Sequence, residues 1–274
     1  MAGKLYLVAT PIGNLGDITF RAVETLKSVD KILCEDTRTS LKLLDRYDIK
    51  KPLVAYHKFN YKTAIPKIIE GLLGGESYAL ISDAGMPCIS DPGSEILPEL
   101  RKNNIEYTIV PGACAFVSAV AVANIETPFT FVGFLPDNKK DERKLVESLK
   151  DYQTSLIFYV APHKLLATID VLYKILCNRD CASVREITKL HEEVEFFSLE
   201  QGYPKEPKGE YVLIVKPNKN GKQNDLLNLS VSEHYKFYIN LGDSKNDAIK
   251  KVAKDRNVAK NVIYQQVINE KIDN

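Results

Sequence analysis

Over the first 113 residues, short runs of apolar and β-branched residues alternate with longer stretches in which apolar residues recur at helical spacing. The short runs predict strands over residues 4–9, 31–35, 52–56, 77–82 and 106–110. The longer stretches predict helices over residues 18–28, 37–47, 63–73, 94–103 and 114–123. Such alternation is typical of βαβ units and of a mostly parallel sheet. Asp17 is the expected N-cap of the first helix, and Asp36 or Thr37 that of the second.

The pattern changes near residues 125–128, where a second region begins. It predicts strands over residues 129–135, 155–160, 182–187, 193–199 and 210–216, and helices over residues 141–150 and 163–176. The later strands have no helices between them, so this second sheet is expected to be mixed in direction.

A polar segment at residues 217–225 predicts a linker, and the chain beyond it is helical in pattern. Ser244 followed by Asp247 resembles a capping box and opens a helix that runs to Lys254. A break at residues 255–257 precedes a further helix at about 258–270. We therefore expect an α/β domain over residues 1–124, a second over 125–217 and a small helical domain over 226–274.

Three polar loops directly follow predicted strands, at residues 10–17, 82–87 and 111–115. In open α/β sheets, ligands bind outside the carboxyl ends of the strands. Glycines in such loops let the backbone approach a ligand, and Asp83 can accept hydrogen bonds. Any one loop alone is explained by an ordinary turn glycine, but three at one sheet edge favour a small-molecule site. The first loop lacks the third glycine of G-x-G-x-x-G and any Gly-Lys-Ser/Thr, which argues against NAD and ATP.

Composition narrows the class of protein only modestly. The chain has 274 residues, 45% hydrophobic and 27% charged, with a net charge of +1, values that suit a globular enzyme and exclude a bulk polycation. Five cysteines and four histidines are scattered, so neither a structural metal nor a disulfide is expected. No apolar run approaches the roughly 20 residues of a membrane span and no signal-peptide core is visible, so we expect a cytoplasmic protein without a membrane partner.

Several longer motifs carry a resemblance to one family. Residues 7–19 read Leu-Val-Ala-Thr-Pro-Ile-Gly-Asn-Leu-Gly-Asp-Ile-Thr, residues 34–38 Cys-Glu-Asp-Thr-Arg, and residues 80–87 Leu-Ile-Ser-Asp-Ala-Gly-Met-Pro. Further matches are Ser-Asp-Pro-Gly at 90–93, Val-Gly-Phe-Leu-Pro at 132–136, Arg-Glu-Ile-Thr-Lys at 185–189 and Lys-Gly-Glu at 208–210. In this order, the motifs resemble the ribosomal RNA small-subunit methyltransferase I group of the tetrapyrrole methylase superfamily. The likeness runs from about residue 4 to residue 216, and the helical tail resembles one found in many members.

The resemblance implies a dimeric, two-domain α/β enzyme of the class III (tetrapyrrole methylase-like) fold that binds S-adenosylmethionine in the cleft between its domains. It implies methylation of the 2′-hydroxyl of a cytidine ribose in the decoding region of small-subunit (16S) ribosomal RNA. Carried over by position, the cofactor site comprises Ile12, Gly13, Asp83, Ala84, Gly85, Met86, Gly112, Ala113, Cys114 and Ala115. Ile12 and Gly13 would lie close to the transferred methyl group.

Two segments depart from the group. Met86 stands where the group usually has Thr, which removes one hydroxyl from the cofactor loop. Residues 159–164 read Tyr-Val-Ala-Pro-His-Lys where the group usually has Tyr-Glu-Ser-Pro-His-Arg. Lys164 thus keeps the positive charge of the Arg but not its bidentate geometry.

Residues 35–38, Glu-Asp-Thr-Arg, are the best candidates for catalysis, because they place two carboxylates and a guanidinium at one strand end. Glu35 or Asp36 could accept the ribose proton, and Arg38 could hold a neighbouring phosphate. The structural alternative is that Asp36 caps the next helix and pairs with Arg38. Lys189 could stabilise a developing alkoxide or be an ordinary surface lysine.

RNA contacts are expected from basic and polar residues around the cleft mouth. The candidates are Arg21, His57, Asn60, Arg143, Lys144 and Lys208, with Lys58, Lys139 and Lys140 beside them. Tyr56 and Phe59 could stack an unpaired base, unless they pack in the core. The tail lysines suggest an auxiliary RNA-contacting module, with dimer packing as an equal alternative.

Two rival functions remain open. A small tetrapyrrole-like substrate is disfavoured because the corrin-type Gly-x-Gly-x-Gly-Asp loop is absent and residues 35–38 are present. A non-catalytic RNA-binding or ribosome assembly factor on the same fold is kept open by Met86 and Val160.

Overall fold

A computed structural model describes residues 3–217, 226–227, 229–240 and 243–269. The chain divides into two compact units, Met1–Pro217 and Asn218–Asn274. The first holds two five-stranded sheets, and the second is helical in its described part.

The alternating pattern predicted a mostly parallel sheet, and the first sheet is entirely parallel, with strand order β3-β2-β4-β1-β5. Its strands are β1 (Lys4–Val8), β2 (Lys31–Cys34), β3 (Leu53–Ala55), β4 (Tyr78–Ile81) and β5 (Glu106–Val110). The helices are α1 (Phe20–Ser28), α2 (Thr37–Arg46), α3 (Tyr61–Leu73), α4 (Leu97–Lys102) and α5 (Ala115–Val122). Central β4 is buried at all four positions, and separate apolar cores cover the two faces of the sheet. The loops after β1, β2 and β4 therefore lie at one edge of the sheet.

The N-caps of α1 and α2 mark the ends of the loops that follow β1 and β2. Asp36 is the N-cap of α2 and accepts a hydrogen bond from the Arg38 N–H at 2.8 Å, which confirms one of the two predicted caps. The prediction for α1 is wrong, because Thr19 rather than Asp17 is its N-cap. Asp17 instead ends a short 3₁₀ turn, Leu15–Asp17, which delays the start of the helix.

The second sheet is mixed, as predicted, with strand order β6-β7-β10-β8-β9. Its strands are β6 (Phe129–Phe134), β7 (Ser155–Val160), β8 (Asp180–Arg185), β9 (Glu193–Ser198) and β10 (Tyr211–Val215). Only β6 and β7 pair in parallel among these strands. Helices α6 (Lys139–Ser148) and α7 (Leu165–Leu176) contribute to the core on one face. Helix α5 packs on the other face, which brings the loop before α5 against the second sheet.

The helical unit contains α8 (Val231–Asn240), α9 (Lys245–Asp255) and α10 (Lys260–Asn269) in the part of the chain that is described. Ser244 caps α9, as predicted, by accepting a hydrogen bond from the Asp247 N–H at 3.2 Å. Helix α8 had no separate prediction, and most of the predicted linker, residues 218–225, lies outside the described residues. A fully buried His234 contacts Asp255 at 3.1 Å and Arg256 at 3.2 Å, so a polar cluster fixes α8 to the end of α9.

Neither membrane spans nor metal clusters are found in the described ranges. No helix there is long and apolar enough to cross a membrane. No group of three or more His, Cys, Asp or Glu side chains there is placed to hold a metal ion.

Candidate active site

A cavity of about 540 Å³ lies where the loops of the first sheet face the second sheet. This volume is within the usual range for small-molecule sites. Seven of the ten predicted cofactor residues line it: Ile12, Asp83, Ala84, Gly85, Met86, Cys114 and Ala115. Gly13, Gly112 and Ala113 lie in the same loops but are not part of its wall.

The loops after β1 and β4 are joined by their backbones. The Thr10 N–H donates to the Gly85 carbonyl at 2.9 Å, and the Gly85 N–H donates back to the Thr10 carbonyl at 3.2 Å. The buried Thr10 hydroxyl also donates to the Ser82 carbonyl at 3.1 Å. Gly85 has a φ of +85°, a conformation that favours glycine. These bonds fix two walls of the cavity relative to each other.

The third loop presents the start of α5 to the cavity. Gly112 packs closely on the loop after β1, since a Cβ there would lie 2.9 Å from the Ala9 Cβ. Cys114 is the N-cap of α5 without a side-chain capping bond, and both Cys114 and Ala115 line the cavity. The Phe116 N–H donates to the Tyr159 hydroxyl at 3.2 Å. The amino end of α5 is thus directed at the cavity, where its backbone N–H groups favour an anion.

Lys189 reaches the cavity from the loop after β8 and lies against Gly13. A Cβ on Gly13 would stand 2.5 Å from the Lys189 Cγ. The Lys189 ammonium donates to Glu186 at 2.9 Å and to Glu210 at 2.7 Å. Burial alone would lower the pKa of Lys189, but these hydrogen bonds outweigh it and hold the pKa above its ordinary value. Glu186 and Thr188 have φ angles of 49° and 67°, so this loop carries backbone strain that often accompanies functional sites.

Residues 35–38 divide between the cavity and the solvent. Glu35 lines the cavity, whereas Asp36 and Arg38 do not. The Asp36 carboxylate caps α2 and pairs with the Arg38 guanidinium at 3.1 Å, and the Arg38 side chain is 88% exposed. Hydrogen bonds from the Arg38 side chain and backbone hold the pKa of Asp36 below its ordinary value. The capping and pairing that formed the structural alternative are therefore present, and Asp36 is the poorer proton acceptor of the two carboxylates.

The six predicted RNA-binding residues lie outside the wall of this cavity. Arg21 and Lys144 are exposed, Arg143 pairs with Glu147 at 2.9 Å, and Lys208 pairs with Glu206 at 2.7 Å. His57 and Asn60 form a turn in which the Asn60 side chain accepts from the His57 N–H at 2.9 Å.

Tyr56 and Phe59 have opposite environments. Tyr56 is 1% exposed and packs in the core of the first sheet, which is the alternative to base stacking that the sequence left open. Phe59 is 84% exposed, and the Lys58 ammonium lies 5.0 Å from its ring centroid. Only Phe59 of this pair is available to stack on a base.

Several residues of the cavity wall were not predicted. They are Asp91 on the loop after β4, Tyr159 and His163 near the end of β7, and Glu186 and Glu210 beside Lys189. Asp91, Tyr159, His163, Glu186 and Glu210 all fall inside the family-like motifs or the departing segment, which is the signal that could have found them. Burial and the charges of Glu35 and Asp83 raise the pKa of Asp91 to about 6.

Comparison with known proteins identifies the family. The model for Tetrapyrrole (Corrin/Porphyrin) Methylases matches residues 4–201. The chain belongs to this family. A protein named Ribosomal RNA small subunit methyltransferase I from Halalkalibacterium halodurans is 45% identical over 270 residues, which cover 96% of this chain and 93% of the relative. Its namesake from Bacillus subtilis is 44% identical, with the same coverage of 96% and 93%. The chain is thus a member of the group that its motifs resemble.

Solved structures agree on the fold. The methyltransferase CobJ has a TM-score of 0.61 at 16% identity, covering 79% of this chain and 95% of its own. A diphthine synthase has a TM-score of 0.60 at 14% identity, and the match covers 78% of this chain and 89% of the diphthine synthase chain. At these identities, the likeness shows the tetrapyrrole methylase fold.

The two departures from the group have separate structural consequences. Val160 is 5% exposed and contributes to the core of the second sheet while also lining the cavity. A carboxylate is therefore replaced by an apolar contact in the wall. Lys164 forms an ion pair with Asp137, so the positive charge at this position is retained and engaged. Met86 lines the cavity next to the backbone bridge at Gly85.

Proposed function

We propose that this chain transfers a methyl group from S-adenosylmethionine to the 2′-hydroxyl of a cytidine ribose in the decoding region of small-subunit ribosomal RNA. The observation that carries the proposal is a cavity with five carboxylates, an apolar wall and a helix amino end, in a chain 45% identical to a named ribosomal RNA methyltransferase. The proposal includes a homodimer in the cytoplasm, which the resemblance implies.

The residues of the cavity suit the chemical groups of S-adenosylmethionine. Glu35, Asp83 and Asp91 supply negative charge for its sulfonium and ammonium groups. The amino end of α5 suits its carboxylate, since helix amino ends bind anions. Apolar side chains, among them Ile12, Ile89, Phe134 and Val212, supply surface for the adenosine.

When bound, S-adenosylmethionine supplies an activated methyl group, so this chain has to position the acceptor and exclude water. The Lys189 ammonium has three N–H donors and uses two on carboxylates of the described residues. The third can stabilise charge that develops on the ribose oxygen. Arg38 lies three residues beyond the cavity-lining Glu35 and is exposed, which suits a grip on a phosphate next to the target ribose.

Calorimetry with S-adenosylmethionine and transfer of a tritiated methyl group test the proposal together. We expect the chain to bind S-adenosylmethionine and to label purified small subunits but not a free porphyrinogen. Labelling of the porphyrinogen alone would support a tetrapyrrole methylase, and absent donor binding would support a non-catalytic RNA-binding factor. Either result would contradict the proposal.

Asp83 is expected to contribute directly to donor binding. The Asp83→Ala variant should weaken S-adenosylmethionine binding by about 5- to 150-fold, or roughly 1–3 kcal/mol, because a polar group of the ligand loses its partner. Asp17→Ala is the matched control, since Asp17 is an exposed carboxylate in the loop after β1 that does not line the cavity. Unchanged affinity in a folded Asp83→Ala variant would remove Asp83 from the site.

The lysines of α9 test the proposed contact of the helical unit with RNA. Lys250 and Lys251 pair with Asp247 and Asp243, whereas Lys254 is exposed without an ion pair among the described residues. Lys254→Ala should weaken binding to small subunits and reduce the slope of log affinity against log salt by about 1. Lys250→Ala, the control, should change the slope less. An unchanged slope for Lys254→Ala would exclude this contact.

A further inference from the structure

Asp91 is a cavity-lining carboxylate to which sequence analysis gave no role. It lies on the loop between β4 and α4, where Cys88 and Ser90 have φ angles of 68° and 63°. Non-glycine residues rarely adopt such angles, and they persist where the surrounding structure enforces them. The loop is therefore held in a strained shape that directs Asp91 to the cavity.

An irregularity in strand β6 of the second sheet supports the strained shape of the loop that carries Asp91. Strand β6 has a register shift between Phe131 and Gly133, and Gly133 has a φ of +78°. A Cβ on Gly133 would lie 3.2 Å from the Ser90 hydroxyl, so the strand passes close beside the residue that precedes Asp91. Bulges next to active sites commonly re-aim side chains. The position of Asp91 thus depends on both sheets.

The Asp91 carboxylate has no hydrogen bond or ion pair with another side chain in the described residues. Glu35 also lines the cavity without a side-chain partner among the described residues, whereas the other two acidic candidates are engaged. Asp36 is engaged by Arg38 and by the cap of α2. Asp83 accepts a hydrogen bond from the Asp36 N–H at 3.4 Å. An unengaged, half-buried carboxylate on the cavity wall is available to take a proton.

We propose that Asp91 is the general base that accepts the ribose 2′-hydroxyl proton, an inference that rests on the proposed function. As the 2′-oxygen forms its bond to the methyl carbon, the carbon–sulfur bond of the donor breaks and its electron pair stays on sulfur. The hydroxyl proton passes to a carboxylate oxygen of Asp91. The positive charge of the sulfonium and the negative charge of Asp91 are both neutralised, and Asp91 then returns the proton to water.

The electrostatics of the cavity fit this role. Burial, followed by the charges of Glu35 after β2 and Asp83 after β4, raises the pKa of Asp91 to about 6. A base with a pKa just below the working pH is ionised and still accepts a proton readily. Tyr159 from β7 and Cys88 on the same loop also face it, but burial raises their pKa values to about 12 and about 11, so both stay neutral.

Other titratable groups of the same loop and of the cavity wall do not contribute to the raised pKa of Asp91. Glu95, on the same loop, accepts a hydrogen bond from the Gly93 N–H at 3.0 Å. Lys189 pairs with Glu186 and Glu210, and His163 also lines the cavity. Besides burial, the charges that raise the pKa of Asp91 are therefore those of Glu35 and Asp83.

The test compares Asp91→Asn, which keeps the shape of the side chain but cannot accept the proton, with Glu35→Gln. At saturating S-adenosylmethionine, the wild-type single-turnover rate should rise with pH around a midpoint no higher than about 6, because the positive charge of the donor favours the ionised carboxylate, and then level. Asp91→Asn should lose at least about 100-fold in rate, as expected for a lost general base, and should lose this midpoint. Its affinity for S-adenosylmethionine, measured by calorimetry, should fall by no more than about tenfold.

Glu35→Gln supplies an independent test in a protein that retains Asp91. Removing a neighbouring negative charge should lower the pKa of Asp91, so the midpoint of the rate profile should move to lower pH. In the free protein, carboxyl carbon NMR should show a group that titrates near pH 6, is absent in Asp91→Asn and moves to lower pH in Glu35→Gln.

A wild-type rate in Asp91→Asn, or an unmoved midpoint in Glu35→Gln, would overturn the role of Asp91. Absence of transfer by the wild-type protein would overturn the proposed function itself.

Discussion

Arg38→Ala is expected to lose at least about 100-fold in single-turnover methyl transfer to small subunits while keeping its affinity for S-adenosylmethionine. Arg38 does not line the cavity, so its loss leaves the donor site intact. Its side chain is 88% exposed, and its pairing with Asp36 contributes little to stability because solvent screens the interaction. The expected loss of transfer rate therefore comes from a target ribose that is no longer held in position.

Arg38→Lys is the graded control for this prediction. It should recover only part of the rate, because an ammonium cannot reproduce the two-pronged contact of a guanidinium with phosphate. Near-normal transfer by a stable Arg38→Ala protein would refute the role. A lower melting temperature shared by Arg38→Ala and Asp36→Asn, with transfer retained by the folded protein, would show that the pair is structural.

Gly13→Ala is expected to reduce methyl transfer by at least about tenfold. The added Cβ would stand 2.5 Å from the Lys189 Cγ and 3.1 Å from the Thr188 hydroxyl, at a φ of +155°. Contacts this short require Lys189 or the loop to move, and a displacement of about 1 Å in a site can cost about 100-fold in rate. The measurement is the single-turnover rate at saturating donor.

Gly16→Ala is the matched control in the same loop. A Cβ on Gly16 would meet only the Asn14 side chain, at 3.3 Å, and Gly16 does not line the cavity. It should transfer methyl groups at close to the wild-type rate. Equal rates for the two variants would show that the contact between Gly13 and Lys189 is not needed.

The predictable parts of the site are those encoded locally. Asp83 and Gly85 come directly after the buried strand β4, and a strand end followed by a glycine is visible in sequence. Parallel pairing then places such loops at one sheet edge without further information. Ile12, Cys114 and Ala115 belong to loops that follow strands in the same way, and they also line the cavity.

The parts that could not be predicted depend on distant contacts. Lys189 meets Glu210 because β8 and β10 are neighbours, which Arg185 and Tyr211 show in their antiparallel register. Asp91 reaches the cavity through two strained residues rather than from a strand end. Tyr56 comes directly after the end of β3, where an exposed residue is expected, but residues of the helices packed over it bury its side chain.

Helix α8 is another element that the sequence pattern did not predict separately, and its buried histidine explains why. It buries His234 beside Tyr235, and the ring nitrogens of this histidine contact Asp255 and Arg256 at the end of another helix. A polar residue in the buried stripe weakens the apolar period from which helices are predicted.

Site-resolved mapping of ribose methylation in small-subunit ribosomal RNA tests the central claim most directly. Cells that lack this gene should lose the 2′-O-methyl group of one cytidine in the decoding region. The wild-type gene should restore it, and the Arg38→Ala gene should not restore it at the same expression level. Ribose methylation that is unchanged across the decoding region in the cells without the gene would contradict the account.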